Sequence, residues 1–376
     1  MTHQPIPTIV TLRRLRSVAR QRGLTLVELM VALVVGLMVI LAAMSVFSSS
    51  SQSARTVDHA GQLRDDARFA ADIIQRLAVQ TGFEDIGFVT RTYQGTPQSY
   101  AAINGKVNPL TMKAPISGFS GKKVTDTDSI DIVAGANSPD SKSDVLVLRY
   151  QAVNKGDSDG DADGSMMVCS GHTLGAGDGH DSDHRDQRAV SVFYVDNDDD
   201  GEPTLYCRWT NKEGEALKGP TPLVKGVESF KVLYGVDNIE AETAADKNDA
   251  TAHAKLIPNS YFNADQMVVD SDLAATETNW RRVRALRIGL VLRSARNAGP
   301  SDSDTVYPLG ENFGAAYTPT GFDTTRLRQN YVFTVNVRNC LNQGYQAAGD
   351  PGKSASEDVP PCDVIVPRPP TAAASA

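Results

Sequence analysis

The residue types that invite chemistry begin with the run Gly23-Leu24-Thr25-Leu26-Val27-Glu28. A small residue stands directly before a long apolar segment, and one carboxylate lies inside that segment. A cut between Gly23 and Leu24 would create an α-amino group one helical turn from Glu28, at i and i+4, where ammonium and carboxylate can pair. Glu28 needs such a partner. A carboxylate at the centre of a membrane helix costs roughly 2.5–3.5 kcal/mol or more. The plainer reading is a carboxylate snorkelling to the interface. No further charge follows Glu28 until Arg55, and Leu29 to Phe47 is about the length that crosses a bilayer. A secretory signal is cut after its apolar region and loses it. Here the candidate cut comes first, so the processed chain would keep its apolar helix.

Cysteine and carboxylate clusters come next. The chain holds four cysteines, Cys169, Cys207, Cys340 and Cys362. An even count in an exported domain predicts two disulfides. Three pairings are open, and the sequence-local choice is Cys169–Cys207 with Cys340–Cys362. A four-thiolate zinc site needs close paired spacings that this chain lacks. Two stretches read D-x-D-x-D-G: Asp159, Asp161, Asp163 with Gly164, and Asp196, Asp198, Asp200 with Gly201. Alternate carboxylates before a glycine can wrap calcium, the one cofactor these residues would take. The twelfth position should then be a bidentate Glu and is Ser170 or Cys207, so the competing reading is a solvated hairpin turn. His172, His180 and His184 lie among glycines and aspartates and read as a loop. Ala347 to Ser354 nearly matches a phosphate-binding loop but lacks the strand and helix that motif needs. No nucleophile elbow or Cys/His pair with catalytic context is evident, and the chain is not read as an enzyme.

Positioning these groups requires a long helix and a β-rich domain. Residues before Gly23 include Arg13, Arg14, Arg16, Arg20 and Arg22 and no acid, so that segment stays cytoplasmic and the helix runs outward. Its removal takes the net charge from −8 to −13, which argues against nucleic acid as a partner. Beyond Phe47, Val57, Leu63, Ala67, Ala70, Ile74 and Leu77 form a stripe of helical period opposite a charged side. One helix is predicted over about 24–79, apolar over 24–47 and amphipathic over 48–80. Gly82 is available as a left-handed cap. The head, 81–345, carries strand-like runs at 144–150, 189–195, 205–209, 227–236, 283–293 and 331–337, with a short helix expected within 261–273. The runs at 189–195 and 205–209 flank the acidic turn and read as a hairpin. Helix first and then many strands predicts an α+β fold with mainly antiparallel sheets. The tail, 346–376, reads as mostly disordered around Cys362.

The run at Gly23 resembles the class III signal of type IV prepilins, G-[F/L/M]-T-L-x-E, with Leu24 where major pilins usually carry Phe. The blocks SDVLVLRY, CSG, FYVDNDDDGEPTLYCRW, LVKGVESFKVLYGVD, WRRVRALRIGLVLRS and YVFTVNVRN are similar to PilW-type minor pilins, which are related in architecture to GspJ-like minor pseudopilins. This resemblance, over about Gly23 to Asn339, implies cleavage between Gly23 and Leu24 by a prepilin peptidase, methylation of Leu24, and insertion in the inner membrane with a periplasmic head. It implies helix packing with other minor pilins and the major pilin, with Glu28 as the assembly carboxylate. It also implies contact with the inner-membrane assembly platform, a role in initiating pilus assembly, and a place near the fibre tip. The alternatives are a minor pseudopilin of type II secretion and a membrane-tethered periplasmic ligand-binding or adhesin module.

Overall fold

A computed structural model describes residues 23, 25–83, 113–122, 124, 143–153, 155, 162–175, 188–211, 214–236, 239–244, 258–296, 305–314, 316–317 and 326–337. Two compact units divide the chain, Met1–Ala54 and Arg55–Ala376.

The first unit is the apolar part of helix α1 (Leu26–Gln80). Every side chain from Leu26 to Ser50 is exposed. Among the described residues, α1 is the one helix long and apolar enough to cross a membrane. A run so apolar and so bare is stable only where something other than water covers it. The helix starts at Leu26, with Thr25 as its cap.

The second unit takes the rest of α1 into its core. Leu63, Ala67, Ala70, Ala71, Ile74, Leu77 and Ala78 are buried. Val57, which the periodicity places on this stripe, is 67 % exposed, so the stripe begins one to two turns later. Alanine fills four of the seven buried positions and lets the helix backbone approach the sheet closely. The helix ends where expected: Gly82 adopts φ +74°, and its N–H donates to the Arg149 carbonyl. Gln80 Nε2 donates to the Met167 carbonyl at 2.7 Å.

Two antiparallel sheets complete this unit. The first runs β1 (Ile116–Phe119), β2 (Val145–Tyr150), β3 (Ala189–Asn197), β4 (Pro203–Thr210) and β5 (Lys218–Lys225) in spatial order. The second has the order β7 (Ser260–Phe262), β6 (Val227–Val236), β8 (Val283–Arg293) and β9 (Arg328–Asn336). The α+β class and the antiparallel pairing agree with the sequence reading. One cluster joins the α1 stripe to the inward faces of both sheets, through Leu146, Leu148 and Phe193 of the first and Phe230, Ile288 and Leu290 of the second. The opposite face of the first sheet has its own apolar cluster around Val147, Val190 and Val192. That is why β2 reads as apolar on both sides.

Three local expectations change. The helix expected within 261–273 gives way to β7, a 3-10 turn at Asp265–Met267, and α2 (Leu273–Arg281). Asp272 sets the start of α2 by accepting the Ala275 N–H. Strands β1 and β5 carry little β signal in sequence: β1 is four residues long, and β5 contains Pro220 and Pro222. Proline survives in β5 because that strand is an edge.

Candidate functional site

The helix start is built from Thr25 and Glu28. Thr25 Oγ1 accepts the Glu28 N–H at 3.2 Å, and Glu28 Oε2 accepts the Thr25 N–H at 3.0 Å. The Thr25 hydroxyl also donates to Glu28 Oε2 at 3.0 Å. This is the reciprocal capping box, which satisfies two otherwise orphaned amides at the N-terminus of a helix. Glu28 therefore has a structural partner before any other chain arrives. Its Oε1 accepts nothing from the described residues. Leu24 lies outside the described residues. Gly23 is exposed, and a Cβ added there would meet open space. Folding of this chain does not demand glycine at that position. The capping signal was legible as T-x-x-E in Thr25-Leu-Val-Glu28, but the charge of Glu28 draws attention away from it.

The acidic turn between β3 and β4 is held by its own side chains. Asp198 Oδ1 accepts the N–H groups of Asp200 at 3.0 Å and Glu202 at 2.8 Å. Asp198 Oδ2 pairs with Lys225 Nζ at 2.8 Å, and this hydrogen bond holds the Asp198 carboxyl below its usual range. Asp196 Oδ1 accepts the Asn197 N–H, and Gly201 supplies the positive φ the turn requires, +74°. Asp198 is thus spent on a turn and a lysine. Among the described residues no group of three or more His, Cys, Asp or Glu side chains is placed to hold a metal. In the first D-x-D-x-D-G stretch, Asp163 Oδ1 accepts the Ser165 N–H; Asp159 and Asp161 lie outside the described residues.

Next to this turn lies an ionic network that motif reading did not reach. Glu202 bonds Arg293 at 2.7 Å and also bonds Arg326. Glu228 bonds Arg293 at 3.1 Å and Arg328 at 2.8 Å. The arginines come from β8, from beside β9 and from β9, so the network ties the first sheet's hairpin to the second sheet. Arg326 most of all, with Arg293, holds the Glu202 carboxyl below its ordinary value against burial, which acts to raise it. The bonded partners lie 65 to 124 positions apart, so no local pattern announces them.

Cys169 and Cys207 form a disulfide with Cα atoms 6.0 Å apart. A closed loop of this length stabilises by about 3–4 kcal/mol in the chain-entropy account. Cys340 and Cys362 lie outside the described residues, as do His180, His184 and the Ala347–Ser354 run. His172 stacks on Trp209, ring centroids 5.0 Å apart, and Lys218 lies over the same ring.

Comparison with known proteins matches the two parts separately. Residues 192–339 match the family model described as Type IV Pilus-assembly protein W. Residues 18–44 match the Prokaryotic N-terminal methylation motif. Among solved structures, the chain is similar to the type IV-like pilin TTHA1219 from Thermus thermophilus. The identity is 15 %, covering 74 % of this chain and 96 % of that one, with a TM-score of 0.36. No curated protein matches.

Proposed function

Starting from a chain that is a type IV pilin of the PilW type, with an N-methylation motif ahead of its apolar helix, we propose that it is a minor pilin. In this reading it helps initiate type IV pilus assembly from near the fibre tip. The observation that carries the reading is the helix start. Among the described residues the side chains of the apolar part of α1 are exposed, and Thr25 holds Glu28 through Oε2. A membrane covers this surface before assembly, and the helices of other minor pilins and of the major pilin cover it afterwards.

A prepilin peptidase cuts between Gly23 and Leu24 and the new amine of Leu24 is methylated. The exposure of Gly23 suits a residue read by an enzyme and not by the fold. The anchor lies in the inner membrane with its head in the periplasm, where the assembly platform takes it up. Glu28 then accepts an incoming N-terminal ammonium, the pairing that lowers the cost of a carboxylate in lipid. No step in this function transforms a substrate, and Cys169–Cys207 serves to hold the head together in an oxidising compartment.

Glu28→Val in the producing cell tests the mechanism. The variant is expected to insert in the membrane at the wild-type level while surface pili fall severely. Normal piliation with Glu28→Val would remove Glu28 from the mechanism. Loss of secreted proteins with pili intact would move the chain to type II secretion.

A further inference from the structure

Just ahead of β2 the chain runs along β6. The Asp144 N–H donates to the Phe230 carbonyl at 2.7 Å, and the Phe230 N–H donates to Ser143 Oγ at 3.1 Å. Asp144 Oδ2 accepts the Val232 N–H at 3.0 Å. These bonds tie the first sheet to the stretch of β6 beside the one that pairs with β7. The Asp144 side chain is buried there. Lys231 reaches it from β6, with Nζ 2.8 Å from Asp144 Oδ1.

A second lysine–aspartate pair of the same length stands elsewhere in the head, Lys225 with Asp198 at 2.8 Å. The two carboxyls are pushed toward opposite forms. Lys225 most of all, with the N–H groups of Glu202 and Asp200, holds Asp198 in its charged form. At Asp144, burial pushes the carboxyl up and outweighs Lys231 and the N–H groups of Val232 and Gly121. Two neutral groups cost less to bury than two ions, so this site favours passing a proton from Nζ to Oδ1. A neutral amine is a nucleophile and a neutral carboxyl accepts attack; ammonium and carboxylate do neither.

We propose that Lys231 and Asp144 join in an amide bond, an isopeptide cross-link between the two sheets, and that Lys225 and Asp198 do not. With one proton already on Oδ1, Nζ attacks Asp144 Cγ, and the N–C bond forms as the carbonyl electron pair moves onto Oδ2. The Val232 N–H already donates to that oxygen, the place an oxyanion donor must hold. Oδ1 faces Nζ and takes a second proton from it. The Cγ–Oδ1 bond then breaks and one water leaves, while Oδ2 remains as the amide carbonyl. No oxidant, reductant or activating group is consumed. The Lys231 side chain is 32 % exposed, which gives the water a way out. The two residues lie 87 positions apart, so the bond closes a long loop of the head. This chemistry draws on the head fold alone and is independent of any role in assembly.

The test is intact mass and peptide mapping of the full chain purified in detergent micelles. The chain is expected to be one water lighter than its mapped termini and disulfides require. One branched peptide should carry both Asp144 and Lys231. Lys231→Arg keeps the positive charge but replaces the amine with a guanidinium that stays protonated. It should restore the water and lose the branched peptide. Lys225→Arg should leave both signals in place. An unbranched chain of full mass would overturn the proposal. So would a water loss that maps elsewhere or persists in Lys231→Arg. A branched peptide joining Asp198 to Lys225 would overturn it as well, because burial of the carboxyl is what selects the pair.

Discussion

Thr25 and Glu28 cap each other across the first turn of α1: each backbone N–H is accepted by the other's side chain, at 3.0 and 3.2 Å. The carboxylate that a membrane helix can least afford is therefore held by its own chain through one oxygen. Capping and charge can be separated by substitution. Thr25→Val removes the cap at about 1 kcal/mol and keeps the charge of Glu28. Glu28→Gln keeps an acceptor for the Thr25 N–H and removes the charge. Exchange at the amides of Leu26 to Glu28 in micelles should rise in Thr25→Val and change little in Glu28→Gln, whereas pilus incorporation should fail in Glu28→Gln. Equal exchange in both variants would show that the box does not hold the helix start.

Processing is checked by mass. Protein recovered from the pilus-bearing cell should begin at Leu24 and carry one N-methyl group. A bulky residue at Gly23 should leave the leader attached without lowering head stability, because a Cβ there meets open space. Full-length chain in assembled fibres would contradict the proposed cut.

The stripe of α1 makes an unequal pair of predictions. Ile74 is fully buried, and Ile74→Ala should cost about 2–5 kcal/mol through lost transfer energy and a cavity. Val57 is 67 % exposed, and Val57→Ser should stay within about 0.5 kcal/mol. Chemical denaturation of the two variants reads both. A large loss for Val57→Ser would mean the helix is covered one to two turns earlier than seen.

Gly118 marks a close approach between the sheets. A Cβ there would sit 1.8 Å from the Tyr234 hydroxyl and 2.7 Å from the Val145 carbonyl oxygen. Gly118→Ala should destabilise by about 2–3 kcal/mol through overpacking. The buried Tyr234 Oη has no partner among the described residues, so Tyr234→Phe alone should be neutral or stabilising. The double variant should recover only part of the loss, since the backbone carbonyl stays in place. Full recovery in thermal melts would place the whole clash on the hydroxyl.

Glu202 gives the head an acid limit. Its carboxyl titrates below the ordinary value of 4.5, first because Arg326 and then Arg293 bond the charged form. A depressed folded value means the stabilisation is fully present above the unfolded value and is lost as pH falls through the folded one. Unfolding midpoints should therefore drop below about pH 4.5, and Glu202→Gln should flatten that drop while costing about 2 kcal/mol at neutral pH. This is less than for a fully buried pair, because Glu202 keeps 28 % of its side chain exposed. An unchanged acid slope in Glu202→Gln would assign the limit to other carboxylates.

Local pattern and tertiary structure divided this protein along a physical line. Order along the chain was enough for the Gly23–Glu28 motif, the long helix, its Gly82 cap, most strands and the hairpin around Asp196 to Gly201. Each depends on neighbours within a few residues or on a simple period, and the sequence shows both. The Cys169–Cys207 pairing came from proximity in sequence. What the sequence by itself determined is thus a long apolar helix with one carboxylate near its start, ahead of an antiparallel head. Only the folded chain decided that Asp198 belongs to Lys225 and that Glu202 and Glu228 belong to three arginines some 65 to 124 residues away. Only it left Val57 in solvent and gave Pro220 and Pro222 an edge to occupy. Those outcomes turn on which strands become neighbours, and a side chain's partner across two sheets leaves no trace in the residues beside it.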